Sequence, residues 1–90
     1  MVRITRVPGT DGVTRLHVAG RVAGDGATEL GMSCDAYLVG RHPLVVDVSD
    51  VSFVDEAGLH ILKRVVHRGG LLTGCSPFLS EMLDERREER

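Results

Sequence analysis

The sequence is poor in aromatic residues and in charge of one sign. It contains no tryptophan, one tyrosine and two phenylalanines, so aliphatic side chains must form the core. Few rings remain for stacking on the bases of single-stranded nucleic acid. The formal net charge is −2, which provides no positive field to attract nucleic acid. We therefore expect no nucleic-acid partner.

Cysteines and long apolar runs are also scarce. Cys34 and Cys75 lie far apart and match no Cys-x-x-Cys pattern, which is typical of reduced thiols in a chain without a secretory signal. Residues 2–8 alternate between polar and apolar types, unlike the apolar part of a signal peptide. No apolar run approaches the ~18 residues of a membrane-spanning helix. We expect a cytoplasmic protein without membrane insertion.

The length of the chain limits the number of domains. Ninety residues, of which 42% are hydrophobic, suffice for one small core and not for two. We therefore interpret residues 1–90 as a single domain. Residues 84–90 form a run of mixed charge, which we expect to be solvated or frayed.

The first half of the chain predicts a β-hairpin followed by a helix. Apolar and polar residues alternate around residues 2–5 and again over 15–22, which is the period of half-buried strands. The turn formers of residues 8–12 lie between them and favour an antiparallel hairpin. A helix is expected from Asp25 to Gly40. Its apolar stripe comprises Leu30, Cys34, Tyr37 and Leu38.

The second half alternates strands with helices. Residues 44–48 are almost entirely apolar, which is typical of an inner strand of a parallel sheet. A helix is expected over 56–68, with Leu59, Leu62 and Val66 packed on the sheet. Residues 71–75 form a short strand. Ser76 and Pro77 then provide the cap and first turn of a last helix, whose apolar stripe comprises Phe78, Leu79, Met82 and Leu83.

The order β-β-α-β-α-β-α indicates an α/β fold. A hairpin followed by alternating elements predicts a four-stranded mixed sheet, with an antiparallel hairpin and then parallel strands joined by right-handed crossovers. Such crossovers place about three helices mainly on one face of the sheet. The opposite face should then be more open.

Residues 44–62 resemble the signature of the STAS domain, a family named for sulfate transporters and anti-anti-sigma factors. The strand over 44–48 leads through a short loop to Asp55-Glu56-Ala57-Gly58. In switching members of the family, Asp-Ser-x-Gly occupies this place, and phosphorylation of that serine breaks a partner complex. Here Glu56 stands at the serine position, so a serine kinase cannot switch this site. The resemblance covers residues 13–83 and implies the STAS-like fold.

The resemblance also implies that the start of the second helix faces a protein partner. We therefore predict the following partner-binding residues: Asp55, Glu56, Ala57, Gly58, His60, Lys63, Arg64 and His67. The residues alone allow plainer roles. An acidic residue such as Glu56 favours the first turn of a helix, Asp55 caps the helix, and Gly58 lets the first turn pack closely on a strand. The polar helix face is then simply solvated.

Other reactive residues provide little basis for chemistry. His60 and His67 lie about two turns apart, ~10 Å along the helix axis, and Glu56 with His60 supplies only two ligands. Ser49 and Ser52 are expected to form local hydrogen bonds in a loop, and Cys75 to be a buried structural residue. No phosphate-loop or nucleophile-elbow motif is present. We expect no metal, no cofactor and no catalysis.

The sequence therefore favours a non-catalytic regulatory module that resembles an anti-anti-sigma factor and binds an anti-sigma kinase-like protein. One alternative is a small STAS subunit of a lipid- or solute-transport complex, with the same helix face against an ATPase subunit. Another is a nucleotide-binding or Cys-dependent enzyme-like domain, although Asp55 and Glu56 would repel phosphate. The sequence leaves the oligomeric state open, a homodimer included.

Overall fold

A computed structural model of the chain describes residues 2–9, 11–40 and 43–84. Within these residues the elements follow the predicted order. The strands are β1 (Val2–Val7), β2 (Thr14–Val22), β3 (Leu44–Val54) and β4 (Leu71–Thr73). The helices are α1 (Asp25–Val39), α2 (Glu56–His67) and α3 (Pro77–Asp84).

The strands of the described chain form one four-stranded sheet in the order β1-β2-β3-β4. β1 and β2 are antiparallel, whereas β2, β3 and β4 are parallel neighbours. The predicted mixed sheet is confirmed, and β3 is an inner strand as expected. Its side chains alternate between the two faces, since Leu44, Val46 and Val48 are buried whereas Val45 and Asp47 are half-buried.

The core lies between one face of the sheet and the helices. Val18, Val22 and Val46 contribute fully buried side chains from the sheet. The helices contribute Leu30, Cys34, Leu62 and Val65 to the same cluster. Alternate positions of the strands, such as Arg3 and Arg15, remain partly or fully exposed, so the helices cover mainly one face. This confirms the predicted arrangement.

The inner strand β3 is longer than the sequence predicts. β2 ends at Val22, as the alternation over 15–22 predicts, whereas β3 continues past Val48 to Val54, where Val22 and Val54 are partners. The register of the pair shifts twice, and Gly20 has a positive φ of 94° between the shifts. Glycine adopts this conformation without strain, so the chain passes the irregularity and pairing resumes. Ser49 and Ser52 therefore lie in a strand, and their predicted loop position is wrong.

Two predicted core positions on the helices are also wrong. Val66 is 48% exposed and Phe78 is 70% exposed, whereas Val65 and Leu79 are buried. Gly70, just after the helix, lies close to Val65, since a Cβ on Gly70 would lie 2.6 Å from Val65 Cγ1. Val65, rather than Val66, is therefore the residue covered at this end of the helix. Leu59 and Leu62 pack on the core as predicted. The predicted fraying falls largely on residues 85–90, which lie outside the described residues.

Candidate functional site

The start of α2 is held by the carboxylate of Asp55. Asp55 is the N-cap residue, and its Oδ1 accepts a hydrogen bond from the Gly58 N–H at 2.7 Å. Its Oδ2 accepts a second bond, at 3.1 Å, from the N–H of Gly24, the N-cap residue of α1. One side chain therefore ties together the starts of α1 and α2. The predicted capping role of Asp55 is confirmed.

These bonds also determine the charge state of Asp55. The N–H of Gly58, with a smaller contribution from that of Gly24, holds the pKa of Asp55 below its usual value. Hydrogen bonds to the ionised form favour that form. Asp55 is therefore a carboxylate at neutral pH and reinforces the negative charge that Glu56 places at the same helix start.

Gly58 lets α2 begin directly against β2. It is buried, and a Cβ at this position would overlap the carbonyl oxygen of Val22. The Asp55 N–H donates to that same carbonyl oxygen at 3.3 Å. The predicted packing role of Gly58 is confirmed, and its backbone is accordingly covered by β2.

Three of the predicted partner-binding residues form an exposed surface at the beginning of α2. Glu56, Ala57 and His60 are all exposed, and we call them the α2 start surface. His67 is exposed at the opposite end of α2, and Lys63 is half-buried. Asp55 and Gly58 hold the first turn of the helix that carries this surface.

Arg64 faces α1 rather than joining the α2 start surface. Its Nη2 donates to Asp35 Oδ2 at 3.0 Å, and its side chain is 36% exposed. Arg68 approaches the same carboxylate at 3.5 Å. Gly31 makes room for this contact, since a Cβ there would lie 3.2 Å from Arg64 Nη2. Sequence spacing along α2 could not show this pairing, because Asp35 lies on another helix.

Sequence reasoning also missed an aromatic contact next to the α2 start surface. The Arg21 guanidinium lies 4.3 Å from the centre of the Phe53 ring, and Phe53 is 43% exposed. Such cation–π pairs contribute about 0.5–1 kcal/mol at exposed sites. The sequence could have indicated this contact only if β3 had been known to extend beyond Val48, because Phe53 then lies in the strand next to Arg21.

The described cysteines and histidines form no metal site. In residues 2–9, 11–40 and 43–84, no group of three His, Cys, Asp or Glu side chains could hold a metal ion. No disulfide joins Cys34 and Cys75, and burial raises the pKa of the Cys34 thiol to about 11. The Cys34 thiolate, the form that reacts as a nucleophile, is thus disfavoured. Cys75 is half-buried rather than buried as predicted.

The described helices include none with the length and apolar character required to cross a membrane.

Comparison with known proteins gives a family and a fold. The family model described as "Mlab, STAS domain" matches residues 5–85. No curated protein matches the chain significantly. The fold resembles that of an anti-sigma factor antagonist from Mycobacterium paratuberculosis, with a TM-score of 0.74 at 23% identity, over 98% of this chain and 81% of that one. It also resembles the unphosphorylated anti-sigma factor antagonist SpoIIAA, with a TM-score of 0.72 at 10% identity, over 88% and 79% of the two chains.

Proposed function

The chain belongs to the STAS domain family, and on this basis we propose that it is a non-catalytic, cytoplasmic regulator that binds an anti-sigma factor. The observation that carries the proposal is the α2 start surface. Its residues are exposed, whereas the neighbouring Asp55 is occupied by hydrogen bonds from Gly24 and Gly58. The two solved structures described above are both anti-sigma factor antagonists. In this proposal residues 1–90 form a single domain.

The α2 start surface is suited to protein binding because it is rigid before contact. Asp55 accepts hydrogen bonds from both Gly58 and Gly24, so the helix start has little freedom to lose on binding. Rigid surfaces avoid part of the ordering cost of association. Exposed Glu56 and His60 lie one turn apart on this surface and provide its polar contacts.

Glu56 determines how such a partner could be controlled. If it occupies the phosphoserine position of the switching STAS proteins, it carries a permanent charge of about −1, compared with −1.5 to −2 for a phosphoserine. Two arrangements are then open. Either Glu56 imitates the phosphorylated state and weakens binding, or the partner has adapted to it with an Arg or Lys.

Calorimetric titration of the whole chain against the kinase-type anti-sigma factors of its own genome tests this proposal. Imitation of phosphate predicts weak binding that Glu56→Ser strengthens, and it predicts a new phosphorylation site. An adapted partner predicts tight binding that Glu56→Ser weakens. Glu29→Ser, at an exposed acidic residue of α1, is the matched control. Equal affinities for all proteins would remove Glu56 from the site, and absence of binding by both wild type and Glu56→Ser would overturn the function.

A second candidate, a small subunit of a lipid- or solute-transport complex, is favoured by one observation. Glu56 cannot be phosphorylated, as suits a permanent subunit contact rather than a switched one. The α2 start surface would then contact an ATPase subunit. Co-purification with such a subunit, lost on His60→Ala and retained on His67→Ala, would support this candidate over the anti-sigma role.

A further inference from the structure

A line of charged and polar side chains runs along the outer face of α2. Its members recur at intervals of four, three and four residues, which brings them within about 60° of one another around the helix. They lie opposite the side of α2 that is buried in the core. We call this set the α2 outer line: Glu56, His60, Lys63 and His67. All are exposed except Lys63, which is half-buried.

The side chains of the α2 outer line are unpaired within the described part of the chain. In residues 2–9, 11–40 and 43–84, none of them forms a hydrogen bond or an ion pair. The two arginines beside the line differ in this respect, because Arg64 and Arg68 both contact Asp35. The charges of the line are therefore available to another molecule.

The order of the charges makes the line complementary to a reversed copy of itself. Glu56 and His67 lie at equal distances from the middle of α2, and so do His60 and Lys63. In an antiparallel pair of α2 helices, the Glu56 carboxylate therefore meets the His67 ring of the second copy. His60 likewise meets Lys63, whose ammonium group donates to an imidazole nitrogen. A parallel pair would instead place Glu56 beside Glu56, and like charges oppose association.

An apolar strip follows one side of the line. Val66 is 48% exposed although it is apolar, and the half-buried Leu59 lies about two turns earlier on the same side of α2. A two-fold axis brings the same side of both helices together, so each Val66 would pack near Leu59 of the second copy. The antiparallel pair therefore covers an apolar residue that α2 leaves outside the core.

We propose that the chain forms a weak homodimer through antiparallel packing of two α2 helices along the α2 outer line. The dimer covers Glu56 and His60 and so hides the α2 start surface, which makes self-association a means of controlling partner binding. This regulatory role rests on the proposed function.

The dimer is weak because its contact is short. α2 has 12 residues, so the contact extends over roughly 18 Å. One helix face of this length buries less than the roughly 800 Å² per partner of a stable interface. We therefore expect the dimer only at high protein concentration.

Sedimentation equilibrium of the whole chain, from micromolar to millimolar concentration at low salt, tests the dimer. Glu56→Lys removes the anion that His67 meets, and His67→Glu places two carboxylates opposite each other. Each substitution should weaken self-association about tenfold, because symmetry places it in the interface twice. Glu29→Lys, at an exposed residue of α1, changes the net charge as Glu56→Lys does and should have little effect. A wild type that stays monomeric, or equal effects of these two lysine substitutions, would overturn the proposal.

A mixture of the two single variants tests the antiparallel arrangement itself. In a mixed dimer, the lysine introduced at position 56 lies opposite the glutamate introduced at position 67, and the unchanged Glu56 lies opposite the unchanged His67. Glu56→Lys and His67→Glu should therefore associate with each other more tightly than either associates with itself. A mixture that behaves as the sum of its components would contradict the antiparallel pairing.

His67→Glu also separates the dimer from the proposed function, because His67 lies outside the α2 start surface. At concentrations where the wild type dimerises, this variant should bind the anti-sigma factor more tightly than the wild type does. Self-association without any anti-sigma factor binding would retain the dimer and reject the function. Anti-sigma factor binding by a wild type that stays monomeric would retain the function and reject the dimer. Binding of the anti-sigma factor to the intact dimer would overturn the regulatory role.

Discussion

At the scale of single residues, Asp55 and Gly58 position the helix turn that carries the exposed Glu56. Asp55 holds two backbone N–H groups that have no partner within their own helices, and Gly58 allows the first turn to touch β2. Asp55 acts through both oxygens of its carboxylate, and Gly58 acts through its lack of a Cβ. The STAS-like sequence around them is thus required for geometry, independently of any switch.

Replacement of Asp55 by Asn tests this geometry through its pH dependence. Asn can accept the bond from Gly58, but its amide nitrogen cannot accept the bond from Gly24. The lowered pKa of Asp55 means that its ionised form stabilises the fold above the unfolded pKa of about 3.9. This contribution is lost as the pH falls through the lowered pKa.

The wild type should therefore be more stable than Asp55→Asn at pH 7, and the difference should vanish in acid. Urea unfolding at pH 7, 4 and 2.5 measures it. Asp25→Asn, at an exposed residue of α1, is the control and should show a smaller difference. A difference as large in acid as at pH 7 would contradict the role of the carboxylate charge.

Gly58→Ala should destabilise the protein although alanine favours helices. The gain in helix propensity is about 1 kcal/mol, whereas the new Cβ would overlap the carbonyl of Val22. Overpacking costs about 1–3 kcal/mol and sometimes more, and backbone atoms cannot rotate away. We expect a net loss, measured by thermal unfolding. A higher melting temperature than that of the wild type would show that α2 can move off β2.

At the scale of the elements, α2 has one face in the core and carries the candidate site on its exposed face. Leu62 and Val65 are buried on its inner side, Arg64 joins it to Asp35 of α1, and Glu56 and His60 face outward. The ion pair is partly exposed, so its contribution is at most about 1 kcal/mol. Apolar packing therefore fixes the helix, and the ion pair orients it against α1.

Alanine substitutions along α2 should reproduce this packing. Leu62→Ala should cost about 2–5 kcal/mol, because Leu62 is fully buried. Lys63→Ala should cost little. Val65→Ala should cost clearly more than Val66→Ala, since Val66 is half-exposed. Denaturant unfolding gives all four values. Equal losses at Val65 and Val66 would contradict the register described for α2.

At the scale of the whole molecule, the sheet combines long inner strands with shorter outer ones. β2 and β3 pair over most of their length and carry the fully buried Val18, Val22 and Val46. β4 contributes only Leu71–Thr73 at one edge. Amides that exchange only on global unfolding usually lie in such central strands.

Hydrogen exchange should follow the strand order. We expect the slowest exchange at amides of β2 and β3, such as those of Val18 and Val46, and faster exchange in β4. NMR-detected exchange at neutral pH measures this order. Slower exchange in β4 than in β3 would show that the α3 side of the molecule, rather than the inner strand pair, forms the most stable unit.

The sequence by itself determined the order of the elements, the mixed sheet, the inner strand and the family, which the match over residues 5–85 confirms. Period, turn residues and capping residues are local signals, and Asp55, Gly58, Ser76 and Pro77 carried them. The sequence also identified the start of α2 as the candidate site. Its partner-binding role stays a prediction.

Only the tertiary structure decided the contacts between distant parts of the chain. The full length of β3 depends on pairing with β2, the bond from Gly24 to Asp55 spans two helix starts, and Arg64 pairs with Asp35 across a helix interface. An apolar pocket likewise lies between the end of β3 and α3, and it is lined by residues distant in sequence such as Phe53 and Phe78. Such contacts are set by the packing of whole elements, so no local pattern contains them.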